Sequence, residues 1–171
     1  MVVHPLSNLL VAFFVYFLSP ERKYGFKEEF MKRKGSAVWQ GGLKDGKGVV
    51  STGSGTLKDV SYTFASRFEE GKGTNPEELV AAAHAGCYSM ALSFILGMSG
   101  ITPESISTTA TVTIEQIGDG FEVTASHLDV TAKVPGVDKA KFDEAAKAAE
   151  TGCPISKLLK AKITMEYKLE S

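Results

Sequence analysis

The sequence predicts an α+β fold, on three observations. Runs rich in Thr, Val and Tyr alternate apolar with polar side chains, as half-buried strands do, within residues 37–52, 62–68, 108–134 and 162–169. These strand runs are separated from the helical runs instead of alternating with them one by one. At 171 residues with 43% hydrophobic side chains, the chain is long enough for one domain with a real core and too short for two full ones.

The first predicted elements are short strands. Residues 37–40 and 48–52 are typical of strands, and the Asp-Gly pair between them is a strong turn signal. Residues 62–68 alternate large apolar with small or polar side chains, which predicts a third strand. A charged, glycine-rich loop over residues 69–73 follows it.

A long helix is predicted to begin after Asn75. Asn75 is a good N-cap, Pro76 suits the first helical position, and Glu78 can act as the capping-box partner. The helix should run to about Met98, where glycines follow. Its first half is rich in Ala and its second half is apolar nearly all round, so we expect it inside a core or an interface.

The second half of the chain is predicted to contain a hairpin, two helices and a last strand. Residues 108–114 and 121–134 form the hairpin through a Gly-Asp-Gly turn. Residues 138–150 form an amphipathic helix that Gly152 closes. A further helix then begins, and residues 162–169 form an alternating strand.

The chain contains two cysteines, Cys87 and Cys153. Because Pro154 suits a first helical position, Cys153 is predicted to be a helix N-cap, where unpaired N–H groups and the positive end of the helix dipole favour the thiolate. The alternative is that both are small buried hydrophobes, a common environment for free cysteine. Two cysteines so far apart suggest neither a secreted disulfide framework nor a C-x-x-C zinc site, and a reducing cytoplasm fits best.

Residues 1–30 are interpreted as an apolar appendage, and residues 31–171 as the domain. Residues 9–18 form an unbroken apolar run, too short to span a bilayer, which takes about 20 residues. No Lys or Arg precedes the run and no small-x-small cleavage site follows it, which argues against a signal peptide. Packing on the domain or on a partner subunit, and an alternative start at Met31, stay open.

The charge of the chain argues against a nucleic-acid partner. Its 19 basic and 20 acidic side chains are well mixed along the sequence and leave no electrostatic footprint for nucleic acid. No membrane partner is expected either.

A combination of motifs carries a family resemblance. It consists of Arg67, an Asn-Pro-Glu segment that ends at Glu77, Cys87 ten residues further on, and the later Cys-Pro pair at Cys153. With these, residues 32–171 resemble the OsmC/Ohr family of bacterial thiol peroxidases, and most closely its OsmC branch. The resemblance implies an intertwined homodimer in which antiparallel sheets wrap around central helices, with two active sites at the subunit interface.

The same resemblance implies a function in protection against oxidative stress. Organic hydroperoxides would be reduced to alcohols, with alkyl, aryl or lipid hydroperoxides ranking above hydrogen peroxide. Cys87 matches the family's peroxidatic cysteine and Cys153 its resolving cysteine, while Arg67 and Glu77 match its Arg and Glu. The implied electron donor is a small dithiol or a lipoylated protein, and no cofactor or metal is expected.

Thiol chemistry gives these four residues physical roles. A thiolate attacks the O–O bond and becomes a sulfenic acid, which a second cysteine condenses to a disulfide. Burial would raise the pKa of Cys87, so a cation must oppose it. Arg67 is the best candidate, because an arginine stays charged when buried and its fork can hold the thiolate while it bonds a carboxylate, Glu77, that fixes its position. From local sequence alone, Arg67 is equally an exposed strand-end arginine, and Glu77 a first-turn acid favoured by the helix dipole. Glu78 is assigned to capping.

The spacing on the long helix adds a constraint. Ten residues of continuous helix separate Glu77 from Cys87 by about 15 Å, so one pocket within that helix could hardly hold both. Either the helix breaks between them or the partner subunit completes the site, and the resemblance favours the second. His84 lies one turn before Cys87 and could carry a proton or pack the helix; it is left outside the catalytic set.

Three other functions stay open. Cys87 could be an acyl-transfer nucleophile with His84 or His127 as its base. The two cysteines and histidines could bind zinc, although no close ligand pair supports this. The chain could also be a redox-sensing or structural dimer module in which the disulfide is the endpoint. Stoichiometry separates the last case, because a peroxidase consumes many equivalents of hydroperoxide per thiol pair and a sensor consumes one.

Overall fold

The computed structural model describes residues 31–170. The chain divides into two units, Met1–Lys34 and Gly35–Ser171. The predicted appendage, residues 1–30, lies outside the described residues, so the domain boundary stays a prediction. In the first unit, residues 31–34 have no regular secondary structure; the elements below belong to the second.

The first sheet is antiparallel, with the strand order β1-β2-β3. Its strands are β1 (Gly35–Gln40), β2 (Lys47–Thr52) and β3 (Val60–Thr63). The turn predicted between β1 and β2 is present: Gly41 has a φ of +90°, which favours glycine, and the Gly46 N–H donates to the Gly42 carbonyl at 2.8 Å. Among the described residues, β1 is mostly exposed, and β2 and β3 are mostly half-buried.

The strand predicted over residues 62–68 is wrong from Phe64 onward. A one-turn helix, α1 (Phe64–Phe68), follows β3 directly. Thr63 caps it: its hydroxyl accepts the Ser66 N–H at 3.1 Å, while the Ser66 hydroxyl accepts the Thr63 N–H at 2.9 Å. These two local hydrogen bonds outweigh the alternating pattern. Arg67 is therefore on a helix and not at a strand end.

The long helix α2 (Pro76–Met98) confirms the prediction. The Asn75 side chain accepts the Glu78 N–H at 2.8 Å, as an N-cap should. The Glu78 carboxylate, however, accepts a hydrogen bond from the Thr74 hydroxyl at 3.0 Å and makes no reciprocal cap. After the last turn Gly100 adopts a φ of +74°, which ends the helix.

One side of α2 is covered and the other is not. By length and composition alone, α2 is long and apolar enough to cross a membrane, a test that the core helix of a globular protein also passes. Only 28% of its most apolar window is buried. The buried residues form one stripe, as an i, i+4 pattern requires: His84, Tyr88, Leu92, Ile95 and Leu96.

The second sheet has the strand order β4-β5-β6. Its strands are β4 (Ser105–Ile117), β5 (Gly120–Lys133) and β6 (Lys162–Glu170). The predicted β4–β5 hairpin is confirmed, with Gly118 at a φ of +59° in its turn. β6 pairs with β5 in parallel, because α3 (Lys139–Gly152) and α4 (Pro154–Leu158) cross over between them. This sheet is therefore not wholly antiparallel.

The described core lies between the second sheet and the helices. Its buried side chains come from α2, from β5 and the residue just after it, and from α3, with β4 and β6 packing at the edge. They are Tyr88, Leu92, Ile95, Leu96, Leu128, Val130, Ala132, Val134, Phe142, Ala145, Ala146 and Ala149. β1, β2 and β3 contribute nothing to this cluster. The α+β fold class is confirmed, and its one described core is in the half of the domain that carries both cysteines.

Candidate active site

The two cysteines are in direct contact. Cys87 lies in the middle of α2, and Cys153 lies between α3 and α4, where its N–H donates to the Ala149 carbonyl at 2.9 Å. The Cys153 thiol donates to the Cys87 sulfur, with the two Sγ atoms 2.9 Å apart. Cys153 has no solvent exposure and Cys87 is half-buried, so Cys87 is the sulfur within reach of solutes.

The surroundings of Cys87 disfavour its thiolate. Burial, together with the hydrogen bond and charge interaction with Cys153, raises the pKa of Cys87 to about 11, while the Ile155 backbone N–H that donates to its sulfur lowers it in part. At pH 7 a thiol with that pKa is ionised in roughly one molecule in 10⁴. A reactive Cys87 therefore needs a further cationic neighbour.

The helix start predicted at Cys153 is present, but it serves the other cysteine. Cys153 is the N-cap residue of α4, yet its side chain makes no capping hydrogen bond. Instead, the N–H of Ile155 in the first turn of α4 donates to Cys87. The start of α4 thus contributes one donor to the Cys87 sulfur.

Arg67 and Glu77 form the second pair of the predicted site. Arg67 Nε lies 3.2 and 3.1 Å from the two Glu77 carboxylate oxygens, and Nη2 lies 2.7 Å from Oε1. The guanidinium also lies 5.0 Å from the centre of the Phe68 ring. The side chain of Glu77 is 12% exposed and that of Arg67 is 36% exposed. This fork-to-carboxylate geometry fixes the direction of the arginine and leaves part of it accessible.

The structure brings together the two pairs but not all four residues. α2 is continuous from Pro76 to Met98, so Glu77 and Cys87 lie about 15 Å apart along its axis. Arg67 is bound to Glu77 and so lies near the start of α2. It is not among the groups that shift the pKa of Cys87. Of the two explanations for the spacing, a break in the helix is excluded.

His84 makes its hydrogen bonds to two serines and not to the thiols. It is completely buried, with Nδ1 at 2.7 Å from the Ser126 hydroxyl and Nε2 at 2.9 Å from the Ser156 hydroxyl. Burial lowers its pKa, so the imidazole is neutral near pH 7. Both ring nitrogens are occupied, and neither can act as a base for Cys87. Ser126 and Ser156 have no distinguishing sequence signal, since only the fold brings them to His84.

One described group of side chains could hold a cation, and it is remote from the thiols. Ligand atoms of His127, Asp129 and Glu166 lie within 4.8 Å of one another. His127 Nδ1 is also 2.7 Å from the Thr164 hydroxyl. Successive strand residues point to opposite faces, so His127 lies on the opposite face of β5 from Ser126 and cannot reach Cys87.

Comparison with protein families identifies relatives of the domain. A family model described as OsmC-like protein matches residues 69–168. The peroxiredoxin OsmC of Escherichia coli is 52% identical over 139 residues, which cover 81% of this chain and 97% of that protein. The organic hydroperoxide resistance protein of Xanthomonas axonopodis pv. citri is 32% identical over 100 residues, which cover 58% of this chain and 68% of that protein.

A solved structure shows the same fold. The organic hydroperoxide resistance protein OsmC from Legionella pneumophila superposes with a TM-score of 0.60. The match covers 84% of this chain and 100% of that chain at 24% sequence identity, so it supports the fold alone.

Proposed function

Because the chain belongs to the OsmC family of thiol-dependent peroxidases, we propose that it reduces organic hydroperoxides to alcohols through Cys87 and Cys153. Its relatives are named as peroxiredoxin and as organic hydroperoxide resistance proteins, and the proposal carries that role over to this chain. The observation that carries the mechanism is the contact of 2.9 Å between the two sulfur atoms.

The reaction needs two thiols and one hydroperoxide. The Cys87 thiolate attacks the terminal oxygen, a sulfur–oxygen bond forms as the O–O bond breaks, and the alkoxide leaves as an alcohol after taking a proton. The Cys153 thiolate then attacks the sulfenic sulfur of Cys87; the disulfide forms and hydroxide leaves as water. An external dithiol reduces the disulfide and returns both thiols, becoming oxidised itself. The substrate loses one O–O bond and gains two electrons per cycle.

The position of Cys153 suits the second step. A disulfide bond is about 2.0 Å long, so the two sulfur atoms need to approach by only about 0.9 Å. Since Cys153 is fully buried beside Cys87, the sulfenic acid meets the resolving thiol before most solutes. This arrangement favours closure over further oxidation of Cys87.

Among residues 31–170, the competing functions lack a partner for Cys87. An acyl-transfer enzyme needs a base beside its nucleophile, but His84 is bound to two serines and His127 lies across the sheet. The same two positions remove the two described histidines, His84 and His127, from a zinc site with the cysteines. A redox sensor remains compatible with the thiol contact and is distinguished by turnover.

The proposed enzyme is a homodimer, and three surfaces support this. The uncovered side of α2 presents small side chains and Met90, which is 76% exposed. A Cβ added at Gly86 would meet nothing in this chain, although a mid-helix glycine costs about 1 kcal/mol relative to alanine. A glycine at this position is explained if a second helix packs closely against it, because the absence of a side chain allows that approach. The described residues also leave open the first sheet and the apolar groove of about 340 Å³ between it and Leu79.

In the dimer, Arg67 and Glu77 of one chain would serve Cys87 of the other. The Arg67 guanidinium uses Nε and Nη2 for Glu77 and stays partly exposed, so it can reach a second anion. A guanidinium beside the thiolate lowers the pKa of Cys87 from the high value that burial sets. Glu77 keeps the arginine in place.

The reductant is proposed to be a small dithiol of the dihydrolipoyl type, acting in the cytoplasm. In the disulfide, Cys153 would remain buried and Cys87 would be the accessible sulfur. A slender dithiol can reach that atom more readily than a cysteine on the surface of a folded protein can.

The first test is turnover. Cumene hydroperoxide consumption by the purified protein is followed with dihydrolipoamide as the electron donor, for the wild type, Cys87→Ser and Cys153→Ser. We expect many equivalents to be consumed by the wild type and none above background by Cys87→Ser. Cys153→Ser should form a sulfenic acid and then stall.

The other outcomes identify the alternatives. A single equivalent consumed by the wild type, ending in the disulfide, with no second turnover with dihydrolipoamide or with thioredoxin, indicates a sensor. No oxidation of Cys87 at all would overturn the peroxidase proposal.

A further inference from the structure

A buried hydrogen-bonded chain joins the three elements around the thiols. Ser126 on β5 binds one nitrogen of His84 on α2, and Ser156 on α4 binds the other, at 2.7 and 2.9 Å. All three side chains are buried, so water does not compete for these bonds. α2 carries Cys87, and α4 begins directly after Cys153.

α4 is too short to hold its own position. It has five residues, from Pro154 to Leu158, and an isolated helix of that length has little stability. Two groups at its start nevertheless form hydrogen bonds to the Cys87 sulfur. They are the Cys153 thiol and the Ile155 N–H. Ser156 is the next residue along the chain, and its hydroxyl fixes α4 to the imidazole of α2.

We propose that His84 is a positioning residue for disulfide closure, whose bond to Ser156 holds α4 so that Cys153 meets the sulfenic sulfur of Cys87. The inference rests on the proposed peroxidase function and adds a residue to it. His84 touches neither the hydroperoxide nor the reacting sulfurs. It acts mainly on the second step, because the position of Cys153 depends entirely on the placement of α4. Cys87 attacks the hydroperoxide from the rigid helix α2, and α4 contributes to that first step only the Ile155 N–H, so the first step is measured separately.

The two serines are matched probes. Each binds one nitrogen of the same imidazole, each is buried, and each substitution by alanine removes one hydroxyl. Ser126→Ala leaves the link between α2 and α4 intact, whereas Ser156→Ala cuts it. A role in stability alone would give the two variants the same chemistry.

The experiment measures the fate of the Cys87 sulfenic acid. Reduced wild type, Ser126→Ala and Ser156→Ala are mixed with increasing cumene hydroperoxide without reductant, and intact mass gives the fractions of disulfide and of sulfinic acid. Stopped-flow fluorescence or rapid thiol quenching gives the rate of the first step. The proteins are compared under conditions in which circular dichroism shows each of them to be folded, so the ratio of products reports on the native site and not on stability.

We expect Ser156→Ala to slow disulfide formation by roughly ten-fold, since a displacement of a reacting group by about 1 Å can cost up to about 100-fold in rate. The ratio of sulfinic acid to disulfide should rise accordingly. Ser126→Ala should stay within about two-fold of the wild type. Equal ratios in the two variants, or a Ser156→Ala ratio equal to that of the wild type, would overturn the inference. Failure of the wild-type Cys87 to oxidise would instead overturn the proposed function.

Discussion

The two sheets of the domain have opposite relations to the rest of the chain. The second sheet covers α2 and α3 with one face and shares a core with them. The first sheet places no residue in that core, and its strands are mostly exposed or half-exposed on both faces. Sheets of three strands without a packed face have little independent stability. Within residues 31–170, one half of the domain therefore has a packed core, and the first sheet is left without a covering surface.

The proposed active site is divided in the same way. The thiol pair lies against the completed half, where Cys153 is fully buried. The ion pair of Arg67 and Glu77 follows the first sheet, at the start of α2. In the proposed dimer, one chain assembles the pair of thiols by itself, and the arginine of a second copy activates the thiolate. Each of the following predictions tests either the half of the domain with the thiol pair or the half with the first sheet and the arginine.

The largest effect is expected from Met90→Arg on the uncovered side of α2. The position is 76% exposed, so the charge disturbs nothing within one chain, but it would be buried against the partner helix. We expect a monomer by light scattering and a loss of hydroperoxide turnover of roughly 100-fold or more, because the arginine no longer reaches the thiolate. Ile117→Arg, at the exposed end of the hairpin, is the control and should remain dimeric. A monomer with full turnover would refute the shared site.

Arg67→Gln should have the next largest effect. Without the guanidinium, burial sets the pKa of Cys87, and the midpoint of its alkylation by iodoacetamide moves up toward about 11. At pH 7 the reaction with hydroperoxide should slow by roughly 10- to 100-fold, as the thiolate fraction falls. Lys72→Gln, in the exposed loop between α1 and α2, removes a cation outside the ion pair and should keep the wild-type profile. Identical pH profiles for Arg67→Gln and the wild type would exclude the arginine from thiolate stabilisation.

A smaller effect is expected in hydrogen exchange. In the Met90→Arg monomer, amides of β1, β2 and β3 should exchange roughly ten-fold faster than in the dimer, because nothing covers that sheet. Amides of β5, which border the core, should keep their protection. Mass spectrometry of peptides from residues 35–63 and 120–133 measures both. Full protection of residues 35–63 in the monomer would show that the first sheet is stable without a partner.

The smallest effect is a pH dependence of stability at His84. Burial lowers its pKa below 6.5, so as the pH falls through 6.5 the unfolded chain takes up a proton before the folded chain does. The protonation of His84 therefore does not affect the free energy of unfolding above pH 6.5. Below pH 6.5 it lowers that free energy by at most about 1.4 kcal/mol per pH unit. Urea unfolding of the wild type and His84→Gln at about pH 7.5, 6.5 and 5.5 measures the difference. Equal slopes in the two proteins would show that the imidazole titrates normally.

Much of the fold could be predicted from the sequence because its signals are local. Asn75 and Pro76 define the start of α2 through a cap and a fixed φ, and the Gly-Asp-Gly turn defines the β4–β5 hairpin. Helix α1 was not predicted, because its residues alternate apolar with small or polar side chains, as a strand does. The capping box between Thr63 and Ser66 overrides that pattern. The parallel pairing of β6 is a long-range property, which no local pattern encodes.

The site was predictable only where a motif or helical spacing applied. The cysteine pair, Arg67 and Glu77 came from the family resemblance, and the distance between Glu77 and Cys87 came from the helical rise. The serines at positions 126 and 156 could not be assigned, because they meet His84 through the packing of β5 and α4 against α2. The same holds for the Ile155 N–H, a backbone donor that carries no sequence signal.

The most direct test of the shared site is complementation between two inactive chains. Cys87→Ser and Arg67→Gln are co-expressed with different affinity tags, and the heterodimer is isolated through both. If each site combines Cys87 of one chain with Arg67 of the other, one of the two sites is intact, and the heterodimer should show about half of the wild-type turnover with cumene hydroperoxide. If each site lies within one chain, both sites carry a substitution, and turnover no higher than that of the Arg67→Gln homodimer would contradict the account.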